Sequence, residues 1–279
     1  MLESKKIDKT IANKLKNQLK GVERHNSNML RYITRRFSSL RFNLFEKHTA
    51  KQVEKIILDM ANALSVRMGE DTYNRATSYT EVYNKMFQDK NFKPVSFSEV
   101  AYKKWNNNHI LQNKPIKQWV DTNLSPLIKN WTDDALKTAE RRLKTLAKTV
   151  GYNCDAMALR TLYKENNDKV LGYRWVTKRD SRVCPLCVGL SDVVFKNIED
   201  APFRRHWNCR CNLLPVFKGA GEDTDTFEKW FSKRSEAQQR SSLGKERTLL
   251  YRAGKLQFSD LLRDDYSLKL LDELQFKKK

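Results

Sequence analysis

The sequence predicts a mainly α-helical protein interrupted by one small α+β module. Three observations lead there. Glycine and proline are scarce, nine and six in 279 residues, and residues 22–68 contain neither; such stretches favour long helices. Apolar residues recur at helical spacing through the N-terminal half. Near residue 170 that pattern gives way to alternation, turn residues and a concentration of cysteine.

Taken in order, Ile11, Leu15, Leu19 and Val22 mark one apolar stripe. Leu30, Ile33, Phe37 and Leu40 mark a second, and Ile56, Met60 and Leu64 a third. Ser96 followed by Glu99 has the form of a capping box. Thr132 is the expected N-cap of a further helix, with Asp133 and Asp134 in its first turn and the basic run from Arg141 to Lys148 towards its end. That is the charge order a helix dipole prefers. The expected divisions are a mostly helical region over 1–150, a module over 151–217 and a helical tail over 218–279.

Within the module, Tyr173, Trp175 and Thr177 alternate as in a strand, and 192–197 and 211–217 offer two more. Pro185, Gly189 and Pro202 punctuate them as turn residues. After a polar linker at 218–225, Phe227, Trp230 and Phe231 fall at i, i+3 and i+4, a pattern read first as helix packing and second as a docking patch. Two short helices are expected on either side of Gly254, with Ser259 capping the second.

The formal net charge is +21, spread along the chain and densest in the first 50 residues, which carry +8. A balance this basic points to a polyanionic partner, most simply nucleic acid bound without sequence preference. An anionic membrane surface would instead call for a basic amphipathic helix with a strong apolar face. No run of 18 apolar residues exists, so no membrane span is expected. The first residues lack the apolar core of a signal peptide, so a reducing cytoplasm is expected, where paired cysteines serve as metal ligands before disulfides.

Four of the five cysteines and one of the four histidines lie within the 28 residues from Cys184 to Cys211. The pattern is C-x2-C at Cys184 and Cys187, an 18-residue gap, then H-x2-C-x-C at His206, Cys209 and Cys211. A structural zinc ion takes four N or S ligands in a tetrahedron, two from each of two knuckles. The second knuckle offers three candidates for two places, so one of His206, Cys209 and Cys211 is left unliganded or in a supporting part. A small loop-rich unit of this kind needs such a staple. The alternatives are buried thiols without metal, or a redox dithiol, which lacks its usual βαβ surroundings here. Cys154 falls outside the cluster and reads as packing. A catalytic metal would want an open position and a nearby base. Asp180 and Asp192 flank the first knuckle, but no H-E-x-x-H or H-x-E signature is present, and His25, His48 and His109 are scattered through helical segments.

The blocks "RDSRVCPLCVGL" and "HWNCRCNLLPVF" are similar to those of the Mu-F-like minor head proteins of tailed phages, also called head-morphogenesis proteins. The matching positions are Trp175, Asp180, Arg182, Cys184, Cys187, His206, Asn208, Cys209, Arg210, Cys211 and Pro215, with Arg160 and Thr161 upstream in a degenerate form. Trp207 departs from the pattern, which has proline there. Trp230, Gln239, Leu243, Gly244, Arg247 and Gly254 resemble the family's downstream segment. The resemblance covers about 155–260.

It implies a low-copy virion component bound to the portal vertex inside the capsid and made in the host cytoplasm. The implied partners are the phage portal protein and packaged phage DNA, with scaffold or major capsid protein as further ones. No enzymatic activity is implied. A contrasting reading from the same residues is a zinc-stapled DNA nuclease of the HNH/treble-clef kind, using His206 or Asp180. No recognition-helix signature supports a sequence-specific regulator.

Overall fold

The computed structural model describes residues 27–38, scattered positions between 52 and 93, and then 116–129, 132–203, 206–217 and 226–275. The chain divides into two compact units: Lys6–Asn166 with Arg204–Cys209, and Asn167–Phe203 with Arg210–Lys279.

The first unit is helical in its described parts. Residues 27–38 form helix and bury Met29, Ile33 and Phe37, one apolar residue per turn. Leu30, expected in that stripe, is half-buried. Of the third stripe, Met60 is buried and Ile56 half-buried. Ile11, Leu15, Leu19, Val22, Leu40 and Leu64 lie outside the described residues, as does the Ser96–Glu99 pair. Helix α1 (Ile116–Asn123) runs into α2 (Ser125–Lys129) through Leu124, which is fully buried.

Helix α3 (Asp133–Glu165) is the long element, 33 residues or about 50 Å. Thr132 caps it as expected, accepting the Ala135 N–H at 3.2 Å. Lys137 pairs with Asp133 and Asp134 one turn back. Leu136, Leu143, Val150, Cys154, Leu159 and Leu162 are all buried along it. Asp155, fully buried, accepts the Tyr79 hydroxyl and lies 3.7 Å from the Arg75 guanidinium. Asn166 ends the helix. Its side chain accepts the Lys93 N–H at 2.7 Å and donates to the Lys93 and Leu162 carbonyls.

The second unit opens with a three-stranded antiparallel sheet in the order β2-β1-β3: β1 is Gly172–Val176, β2 Val194–Phe195 and β3 Asn212–Val216. All three fall where the alternation predicts strands. Tyr173 opposes Phe195 and Pro215, and Trp175 opposes Leu213, so one face gathers buried Tyr173, Trp175, Phe195 and Leu213. Pro215 sits on an outer strand of this sheet, where its missing N–H is tolerated. At Gly172 a Cβ would stand 2.7 Å from the Phe195 carbonyl oxygen, so the β1–β2 approach requires glycine.

Between β1 and β2 lies a short helix, α4 (Pro185–Gly189). The tail follows as α5 (Phe227–Ser232), α6 (Glu236–Leu243), α7 (Lys245–Arg252), a 3-10 turn (Phe258–Leu261) and α8 (Leu271–Gln275). Thr226 and Ser235 cap α5 and α6, the latter with Gln238 in a complete capping box. Phe227 and Phe231 are buried; Phe227 packs on Phe258, and Phe231 on Tyr251 and Phe258, at centroid distances of 5.4 to 6.0 Å. Packing is therefore their role. Trp230 is half-buried with the Arg234 guanidinium 5.0 Å from its ring.

One expected cap is corrected. Ser259 lies inside the 3-10 turn, and Gln257 is the capping residue, its N–H donated to the Asp260 carboxylate at 3.0 Å. A bridge between Leu262 and Leu268 draws the chain out of helix before a second turn forms.

Candidate metal centre

The first knuckle is a helix start. Cys184 is the N-cap of α4 and Pro185 takes the first helical position, where its fixed φ fits and its missing N–H costs nothing. The Cys184 Sγ accepts the Cys187 N–H at 3.4 Å, and the Cys184 carbonyl accepts from Val188. Both sulfurs are thus turned to one side of a single turn. Thr177, buried just past β1, donates to the Cys187 carbonyl at 2.8 Å and ties the knuckle to the strand before it. Gly189 closes α4 so tightly that a Cβ there would meet Leu262 at 2.8 Å.

The second knuckle is a turn over residues 206–209. The Cys209 N–H reaches the His206 carbonyl, and Asn208 takes a φ of +57°, a conformation asparagine adopts readily. The Asn208 N–H is held by Thr149 Oγ1 at 3.1 Å. His206 Nδ1 lies 2.9 Å from the Trp207 carbonyl oxygen. A carbonyl only accepts, so this bond needs the proton on Nδ1; in the neutral ring that tautomer leaves the Nε2 lone pair for a metal. Cys209 and Cys211 are buried, and Cys211 leads directly into β3.

Cys184, Cys187 and His206 each bring a ligand atom within 4.8 Å of one another, and Cys187, Cys209 and Cys211 do the same. Cys187 belongs to both groups. The five residues named by the C-x2-C and H-x2-C-x-C spacing thus form two groups of three that share Cys187, each close enough to bind a metal ion. None of the five cysteines is in a disulfide, and Cys154 stays apart from both groups, buried in α3. The donor set of thiols and one imidazole is soft, the chemistry that selects zinc-like ions over hard cations such as magnesium or calcium.

The flanking carboxylates are committed. Asp180 receives the Arg210 guanidinium through two bonds, 2.5 and 2.7 Å, and also accepts the Arg182 N–H at 2.9 Å. The Arg210 bonds come first among the causes that hold the Asp180 carboxyl down at about 2. Asp192, at φ +62°, accepts the Phe227 N–H at 2.7 Å and so caps α5. Of the remaining motif residues, Trp175 is buried on β1, while the Arg182 side chain is largely exposed, 3.7 Å from Asp180. His25, His48 and His109 lie outside the described residues. Sequence reasoning read Thr177 only as a strand position and passed over Thr149. Neither contact carries a local signal, since each acts on a backbone group 10 or more positions away.

No protein-family model, curated protein or solved structure matches the chain.

Proposed function

We propose that the chain is a minor head protein of the Mu-F-like kind: a low-copy structural component at the portal vertex inside a phage capsid, contacting packaged DNA without sequence preference. In this reading the Cys/His cluster holds one structural zinc ion, with Cys184 and Cys187 on one knuckle and two of His206, Cys209 and Cys211 on the other. Bound zinc supplies folding energy to the module. The observation that carries the reading is that the two blocks of the resemblance meet through Asp180 and Arg210, 30 positions apart, as well as through the cysteines. The +21 charge supports residence against phosphates, where released counterions drive binding.

The nuclease reading draws less support, because Asp180 is engaged by Arg210 and His206 lies within ligand distance of the Cys184 and Cys187 thiols. The test is to count this chain against portal and major capsid protein by quantitative mass spectrometry of purified heads from the system that encodes it. A few copies per head is the expected result. Abundance in lysate with absence from heads would overturn the proposal.

A further inference from the structure

Trp207 stands where the family resemblance has proline, and its surroundings suggest what the substitution does. It is the second residue of the 206–209 turn. The indole is 37% exposed, unusual for so large an aromatic, and packs on the half-buried Trp119 of α1 at a centroid distance of 5.5 Å and a tilt of 54°.

The pair is held from below by α3. Arg142 donates to the Asn123 carbonyl at the end of α1, at 2.5 Å, and Thr149 holds the Asn208 N–H. These two α3 residues lie seven positions apart, so they share one side of the helix about 10 Å from each other. Asn123 in turn donates to the Trp119 carbonyl one turn back in α1. Both indoles are therefore fixed on one framework, with Trp119 behind Trp207. The same helix exposes Arg141, Arg142 and Lys148.

We infer that Trp207, backed by Trp119, is a stacking platform for an unpaired nucleobase, with the α3 cations receiving the adjoining phosphates. Charge complementarity selects this occupant: an exposed indole held by the same helix that carries exposed cations fits a base joined to phosphates, and base–aromatic stacking tolerates any sequence. The inference rests on the DNA-contacting reading above and sharpens it from duplex backbone to single-stranded or frayed DNA.

The test uses the full-length chain and fluorescence anisotropy with three probes of about 15 nucleotides: an oligo-dT strand, an abasic strand of the same length, and a duplex. Trp207→Ala should weaken dT binding roughly five- to a hundredfold, the range of one lost base stack. It should leave the abasic and duplex affinities unchanged, and Trp207→Tyr should restore most of the loss. Trp207→Pro, which suits the turn, should behave as the alanine variant does; equal metal content and melting temperature exclude misfolding.

Unchanged dT affinity in both variants, with duplex binding intact, would overturn the platform and leave the head-protein reading standing. Loss of portal co-purification with all DNA affinities intact would likewise overturn it, making the patch a protein contact. Absence of binding to any probe at low salt would sink the platform and the DNA-contacting reading together.

Discussion

Asp180 and Arg210 form a two-pronged ion pair across 30 residues of sequence, joining the approach to the first cysteine knuckle with the residue between Cys209 and Cys211. The Arg210 side chain is only 9% exposed, so its charge depends on this partner. A planar guanidinium meeting a carboxylate through two parallel bonds fixes orientation as well as distance.

This pair sets a pH dependence. The folded Asp180 carboxyl titrates at about 2, below its ordinary 3.8. Its contribution is therefore complete above about pH 4 and lost as pH falls through 2. Asp180→Asn should cost about 1 kcal/mol at pH 7, since partial exposure screens the pair. The gap to wild type should hold down to about pH 4.5 and narrow on further acidification. Urea melts across that range check this; a gap that widens on acidification would contradict it.

Metal removal should act on the module directly. The chain as purified should hold about one zinc ion, and chelation should lower the melting temperature. Cys187 belongs to both ligand groups, so Cys187→Ser should abolish binding. Single replacements of Cys209 or Cys211 should weaken it less, because the cluster offers one ligand more than a tetrahedral ion takes. Metal analysis of the four Cys→Ser variants separates these outcomes. Equal zinc content in all of them would remove the metal reading.

Much of this was legible in the sequence, for identifiable reasons. Tyr173 and Trp175 announce β1 because alternation and burial on one face are the same fact. Thr132 announces α3 because a hydroxyl before two acidic residues answers the exposed amides and the dipole together. The cysteine spacing gathers its own ligands. What stayed hidden is non-local. Asp180 and Arg210 both stand out by motif, yet nothing in spacing pairs them. Thr149 is an ordinary helical residue until Asn208, 59 positions on, presents its N–H. Ser259 failed as a cap because Gln257 and Asp260 satisfied the local amide first.

Gln239 ties the tail together from inside. It is 1% exposed, donates to the Phe231 carbonyl at 3.0 Å and accepts from Arg252 at 3.0 Å. Gln239→Leu keeps the volume while removing one of two bonds to the Phe231 carbonyl, which still accepts the Arg234 N–H at 3.0 Å, and one partner of Arg252, which keeps Glu236 at 3.9 Å. It should cost about 0.5–1.5 kcal/mol in denaturant melts. Gln239→Glu, which retains the acceptor for Arg252, should lose less. A neutral Gln239→Leu would show that the Arg234 N–H and Glu236 satisfy both groups without it.

Gly244, between α6 and α7, has φ +81° and ψ 170°. This is not the left-handed helical region that asparagine tolerates but an extended mirror region open to glycine almost alone. A Cβ there would meet nothing within 4 Å, so any cost of substitution is conformational and not steric contact with neighbours. Gly244→Ala should destabilise by about 1–3 kcal/mol, and Gly244→Asn should give no rescue. The turn matters beyond its own residues, because the Gly244 carbonyl accepts both the Thr248 N–H and its hydroxyl at the start of α7. Thermal melts of the two variants decide the point. If asparagine were tolerated and alanine not, the turn would sit in the left-handed helical region in solution.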